Sequence, residues 1–158
     1  EAVRYTQFYS TSSWTVPAHA SLFTGLYPCG HRATQEHVTL DNRFATLAEV
    51  LRNAGYRTWA ASGNPSVGWV TNMMQGFDEF LETFRDRVSA RFGKAGGHVN
   101  NAAFRDFLGR AKRERPFMAF VNYIEAHNPY EPPEPFLSRM LPAASSSLRA
   151  ASRSPGRI

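Results

Sequence analysis

Thr15 and His19 are the pair whose residue types and spacing could do chemistry together. They stand four residues apart, so a helix brings them to one face a turn apart. The segment Thr15-Val16-Pro17-Ala18-His19-Ala20-Ser21-Leu22-Phe23-Thr24-Gly25 reads as that helix. Proline suits its first turn and Gly25 its end. A helix start leaves backbone N–H groups unpaired and carries the positive end of the helix dipole, which favours anions. A hydroxyl there, faced by an imidazole, is what a nucleophile on a phosphate or sulfate centre needs. The same threonine also fits a plain N-terminal cap, which is the commoner use of the residue in that place.

The elements that must hold such a pair can be read on either side of it. Residues 3–9 are rich in β-branched and aromatic side chains and read as a strand. Phe44, Leu47, Leu51 and Ala54 follow helical spacing, and Gly55 is a stop. Residues 57–62 read as a strand broken by Gly63-Asn64-Pro65, and residues 67–76 are ambiguous. Gly76-Phe77-Asp78-Glu79-Phe80 reads as a turn into a short strand. Gly93 opens a glycine-rich stretch, and Phe104, Phe107, Leu108 and Ala111 then mark an amphipathic helix with a basic end. Residues 117–123 form a nearly continuous apolar run, as expected of a strand buried on both faces. It leads to Glu125-Ala126-His127-Asn128-Pro129-Tyr130 and a proline-rich loop. Strands alternating with helices are the α/β pattern.

The 158 residues suffice for one domain, and a 42% hydrophobic, 20% charged composition is globular. No apolar run approaches the ~18 residues of a membrane-spanning helix. The formal charge of +5 suggests nucleic acid until it is located. Residues 138–158 hold four arginines and no acid, whereas the preceding body has 14 basic and 13 acidic residues. The body has no basic stripe, so nucleic acid is not an expected partner. Cys29 is the single cysteine, which excludes an internal disulfide and a cysteine-rich metal site. His31 reads as a loop histidine near the mouth of the site or simply solvated, and His37 and His98 have no partners at metal spacing. From about Ala143 the chain is Ser, Ala, Arg, Pro and Gly without period, a tail expected to add nothing to the core.

Residues 13–28, ending Ser21-Leu22-Phe23-Thr24-Gly25-Leu26-Tyr27-Pro28, resemble the active-site signature of the sulfatase family in the alkaline-phosphatase-like superfamily. That pattern is Cys/Ser-x-Pro-x-Arg followed by a helix ending in Leu-x-Thr-Gly-x-Tyr-Pro. Thr15 stands at the nucleophile position, Pro17 matches, and His19 replaces the arginine. Leu47-Ala48-Glu49-Val50-Leu51-Arg52-Asn53-Ala54-Gly55-Tyr56 is similar to the family's helix and strand before a substrate-contacting loop. Gly76-Phe77-Asp78 resembles its recurrent turn, and His127-Asn128-Pro129-Tyr130 its His-x-Pro-Tyr strand end, whose histidine contacts the substrate anion. The departures are specific. Threonine is not a known substrate for the conversion to formylglycine that classical sulfatases use, although threonine nucleophiles occur among the superfamily's phosphoglycerol and phosphoethanolamine transferases. The loop usually reading Gly-Lys-Trp-His is Gly63-Asn64-Pro65-Ser66, which lacks two cationic or donor side chains and leaves Asn64 and Ser66 as weaker polar candidates for the substrate contact.

The resemblance implies a three-layer α/β/α sandwich with a mostly parallel sheet, alkaline-phosphatase-like and truncated at both ends. Residues 1–142 are expected to be part of a sulfatase-like catalytic domain, and 143–158 a disordered or out-of-family tail. The implied activity is hydrolysis of sulfate or phosphate esters of small molecules or glycans. Thr15 and His19 would be catalytic, and His127 and Asn64 substrate-binding. The alternatives are a phosphodiesterase or phosphoglycerol-type transferase with an unmodified threonine, and a non-catalytic fragment or degenerate paralogue. The family binds one divalent cation, of calcium or magnesium type, on Asp-Asp and Asp-Asn/His pairs. Neither pair is visible in the chain, and beyond Thr15 no metal ligand can be named. The chain alone is therefore expected to bind metal weakly and to be inactive.

Overall fold

The computed structural model describes residues 3–85, 96–111, 115–127 and 135–140. The tail from Ala143, residues 93–95 of the glycine-rich stretch and residues 128–134 of the proline-rich loop lie outside them. The described elements run α1 (Thr15–Thr24), α2 (Pro28–His31), α3 (Leu47–Asn53), β1 (Arg57–Ser62), β2 (Glu79–Glu82), a 3-10 turn (Thr83–Arg85), α4 (Gly97–Arg110), β3 (Phe117–Asn122) and α5 (Phe136–Met140). The strands form one sheet in the order β2-β1-β3, parallel throughout. Ser62 is level with Glu82 on one side and Asn122 on the other, so all three carboxyl ends share one edge.

Side chains alternate along β1 and divide the core in two. Ala60 faces a cluster of Val16, Ala20 and Phe23 from α1, Ala48 from α3, and Val67, Met73 and Phe77. Trp59 and Ala61 face α4, where the fully buried Trp59 stacks on Phe107 at 5.1 Å between ring centroids. Helices thus cover both faces, the three-layer α/β/α arrangement expected. On the α1 side, Phe23 meets Phe120 of β3 edge-on at 5.0 Å and Phe77 at 5.9 Å.

Local chemistry explains the boundaries. α1 ends where Gly25 takes the left-handed conformation, φ 70°, and its N–H donates to Ser21 O. α3 begins with a capping box: Thr46 Oγ1 accepts from the Glu49 N–H at 3.2 Å, and the Glu49 carboxylate accepts from the Thr46 N–H at 2.8 Å. Residues 67–76 form a run of turns, with buried Gln75 donating to the Asn72 and Leu40 carbonyls. At the amino ends of the strands, Glu79 takes Arg57 at 2.5 Å and Arg110 of α4 at 3.1 Å. Hydrogen bonds from Arg110 first, and then from Arg57, hold its carboxyl below the usual glutamate range.

Three expectations change. Residues 3–9 form no strand, because no described strand lies beside them, and Val3, Tyr5, Phe8 and Tyr9 are exposed. β3 is half-buried rather than buried on both faces, because only β1 flanks it among the described strands. His31 is neither solvated nor at a site mouth: it is 1% exposed. Its Nδ1 accepts from the Ala33 N–H at 3.0 Å, so Nε2 carries the hydrogen toward Ser21 Oγ, also 3.0 Å away.

Burial lowers the His31 pKa, opposed by a hydrogen bond with the Pro17 backbone. A histidine held neutral when folded takes up a proton more readily when unfolded, so its contribution is complete above the ordinary histidine pKa and is lost as pH falls below it. Denaturant midpoints measured across that range should therefore drop on acidification. In His31→Gln, whose amide bears no proton to titrate, that part of the slope should vanish.

Candidate functional site

Trp14, extended at φ −103° and ψ 146°, occupies the N-cap of α1, and no side chain caps the helix. Thr15 is therefore the first helical residue and not the cap, because a helical backbone at residue 15 turns its side chain away from the next N–H groups. The first-turn N–H groups of Thr15 and Val16 have no intrahelical acceptor, and Pro17 has no N–H to satisfy. The helix start consequently keeps its donors and the half-buried Thr15 hydroxyl together.

That start opens into a cavity of about 200 Å³. Thr15, Asn64, Ser66, Ile124 and His127 line it, with Gln35 at its side. Asn64 and Ser66 follow the carboxyl end of β1, and Ile124 and His127 follow that of β3. Parallel strands place both at the same edge of the sheet, where open α/β sheets hold ligands. The loop after β1 is shaped by its own polar groups. Asn64 Oδ1 accepts from the Ser66 N–H at 2.9 Å, and Ser62 Oγ accepts from the Asn64 N–H at 3.2 Å. With Oδ1 engaged in this turn, the Asn64 side chain has its NH₂ group to offer a ligand. His127 is exposed, and its N–H donates to Ile124 O at 2.9 Å in the turn that follows β3.

His19 does not line this cavity. It lies half-buried on α1, edge-on to Phe23 and Phe120. Its Nδ1 is 2.8 Å from the Thr15 carbonyl oxygen and its Nε2 3.0 Å from Asn122 Nδ2. The imidazole thus engages the Thr15 backbone, not the hydroxyl. Asn122, at the end of β3, was missed by sequence reading because nothing in a strand's apolar run marks its last residue as a partner for a helix 103 residues away. A larger depression of about 560 Å³ lies between α1 and residues 8–11, lined mainly by apolar groups including Phe8, Tyr9 and Leu22. It contains neither Thr15 nor His127.

Among the described residues, no three His, Cys, Asp or Glu side chains group so as to hold a metal. The cavity's described lining offers hydroxyls, amides and an imidazole but no carboxylate. Calcium takes six to eight oxygen ligands and magnesium a near-ideal octahedron. These residues do not by themselves fit such an ion. Also among the described residues, no helix is long and apolar enough to cross a membrane.

Comparison with known proteins adds the following. The profile of the family described as Sulfatase matches residues 1–141. The chain is 23% identical to "Uncharacterized sulfatase YidJ" of Escherichia coli (strain K12) over 171 aligned residues, covering 88% of this chain and 34% of that protein. Over 40 residues it is 55% identical to "Multifunctional alkaline phosphatase superfamily protein PehA" of Trinickia caryophylli, covering 25% of this chain and 8% of that protein. The crystal structure of the phosphonate monoester hydrolase of Agrobacterium radiobacter superposes with a TM-score of 0.61 at 22% identity, over 84% of this chain and 35% of that one. That likeness shows a shared fold. The chain spans about a third of the length of YidJ and of that hydrolase.

Proposed function

The chain belongs to the sulfatase family, and from that premise we propose that it is part of the catalytic domain of a hydrolase of sulfate or phosphate esters, with Thr15 as the nucleophile. The observation that carries this is the cavity gathering Thr15, Asn64 and His127 at the carboxyl edge of a parallel sheet. An ester anion seated there has its non-bridging oxygens toward the Thr15 and Val16 N–H groups, the Asn64 amide and the His127 ring. The Thr15 oxygen attacks phosphorus or sulfur, the bond to the ester oxygen breaks, and the alcohol leaves with a proton. Water then cleaves the bond to Thr15 and restores its hydroxyl. His19 holds the residue 15 backbone for this attack. The divalent cation of calcium or magnesium type that the family resemblance implies needs carboxylates that the described lining of this cavity lacks, and no step here runs through it.

A phosphodiester or phosphoglycerol-type transfer is the second reading, favoured by one observation: residue 15 is a threonine and not the Cys or Ser of the family pattern. There an acceptor alcohol takes the place of water in the second step. A phosphonate monoester hydrolase is among the proteins whose structures superpose on this chain, which accords with phosphorus as the centre attacked.

Anion titrations test the site without turnover. Inorganic phosphate, sulfate and orthovanadate are added to isotope-labelled protein while backbone and side-chain resonances are followed. The amides of residues 15 and 16, the Asn64 side chain and the His127 ring should shift along one binding curve. His127→Ala and Asn64→Ala should each weaken binding by roughly 10-fold, the worth of one hydrogen bond to a charged group. Shifts confined to other surfaces would end the proposal.

A further inference from the structure

The two partners of His19 fix where its proton sits. A carbonyl oxygen only accepts, so the Nδ1 facing Thr15 O carries a hydrogen. An amide NH₂ only donates, so the Nε2 facing Asn122 Nδ2 is bare. The ring is therefore the neutral Nδ1–H tautomer. The backbone that carries the Asn122 side chain is anchored. Its backbone oxygen accepts from Asn100 Nδ2 at 2.8 Å and from the Gly63 N–H at 3.0 Å. Asn100 is fully buried and accepts in turn from the Thr83 hydroxyl. In this orientation the Asn122 Oδ1 is buried with no hydrogen-bond partner among the described residues. An orphaned buried acceptor costs stability. Turning the amide would bring that oxygen to the ring, but only a ring with a second proton could answer it.

We infer that Asn122 is a positioning residue that, together with the Thr15 carbonyl, holds His19 in its Nδ1–H form and so sets the peptide between Thr15 and Val16. That peptide is planar, so its carbonyl and the Val16 N–H turn together. Val16 lines the candidate cavity, and its N–H is one of those α1 leaves unpaired. The ring bond thus acts on a donor that faces the anion, although the ring itself does not line the cavity. The functional meaning rests on the anion-site reading above, whereas the tautomer does not.

The test is a ¹⁵N–¹H correlation spectrum of the histidine rings in the full chain at neutral pH, with His19 assigned by its loss in His19→Gln. The expected pattern is a protonated Nδ1 and a bare Nε2. Asn122→Asp replaces the donor with acceptors, so both ring nitrogens should move to the protonated range. Asn122→Leu removes this donor while the Thr15 carbonyl still takes a hydrogen from Nδ1, so Nδ1–H should remain and the bare Nε2 resonance should move toward the value of a nitrogen without a hydrogen bond. In both variants the Val16 amide should move while core resonances such as the Trp59 indole stay, which separates repositioning from unfolding. A wild-type ring with hydrogen on Nε2 alone overturns the inference without any variant, as does a ring unchanged by Asn122→Asp. If Asn122→Leu fails to fold, the near-isosteric Asn122→Asp decides. Anion titrations that fail while this tautomer pattern holds would reject the proposed function and leave the control of His19 by Asn122 standing.

Discussion

Gly76→Ala is expected to cost the protein a large part of its stability. Gly76 sits at φ 84°, where an L side chain crowds the following carbonyl. Space is the harder constraint. A Cβ there would run into the Glu49 backbone nitrogen and lie 2.7 Å from the Ala48 carbonyl carbon. Both belong to the capped first turn of α3, which cannot swing aside as a long side chain could. The turn is also pinned from its other side, because the Gly76 carbonyl accepts from buried Thr58 Oγ1 at 2.7 Å. Backbone strain of about 1–2 kcal/mol and overpacking of about 1–3 kcal/mol together approach the lower end of a domain's whole margin. Thermal unfolding should fall by roughly 10 °C. Gly109, on the exposed face of α4 with nothing within 4 Å of a Cβ, is the control: Gly109→Ala should match or slightly exceed the parent. Equal melting of Gly76→Ala and the parent would show that α3 does not pack on this turn.

The same two glycines show what a sequence can disclose. Gly76-Phe77-Asp78 could be read as a turn because glycine before an apolar run has a local meaning, and β2 begins at Glu79 as that reading requires. The helices ending at Gly25 and near Gly55 were legible for the same reason. The capping box of α3 was present in Thr46-Leu47-Ala48-Glu49, but apolar spacing alone drew attention to the residues beside it. What could not be read depends on distant partners. The β-rich composition of residues 3–9 states a preference, but a strand also needs a neighbour to pair with. His31 looked like a loop residue because neither the Ser21 hydroxyl nor the Ala33 N–H is visible as a partner until α1 and α2 fold back on each other. Thr15, Asn64 and His127 were each marked by a local motif, yet only the parallel register of β1 and β3 brings the loops of Asn64 and His127 to one edge, and only the packing of α1 on the sheet brings Thr15 to them. His19 was marked by its place one turn from Thr15, and helical spacing could not reveal that its ring would reach Asn122.

Thr15→Ala is expected to abolish turnover where the protein is active, by about 10³-fold or more, because a covalent mechanism has no substitute for its nucleophile. The size of the loss discriminates between roles. A threonine that only stabilised the helix start would cost about 1 kcal/mol of stability when replaced, with activity following the folded fraction. Thr15 lies inside α1 with Trp14 as cap, so Thr15→Ala should leave the melting temperature nearly unchanged while activity disappears. Alanine also has the higher helix propensity, which works in the same direction. Thr15→Ser keeps an oxygen at the same position and should retain activity. The assay is turnover of a nitrophenyl sulfate and of bis-nitrophenyl phosphate, with and without added Ca²⁺, Mg²⁺ or Mn²⁺, run on residues 1–158 and on any longer form of the protein. Residues 1–158 alone should give no multiple turnovers, because among the described residues no carboxylate lines the cavity to bring a cation to the hydroxyl. If turnover is found in either form and survives Thr15→Ala, the hydroxyl is not the nucleophile. Asn64, His127 and the N–H groups of α1 would then be left as an anion cradle whose attacking group comes from elsewhere, with water activated by another residue as the next candidate to test.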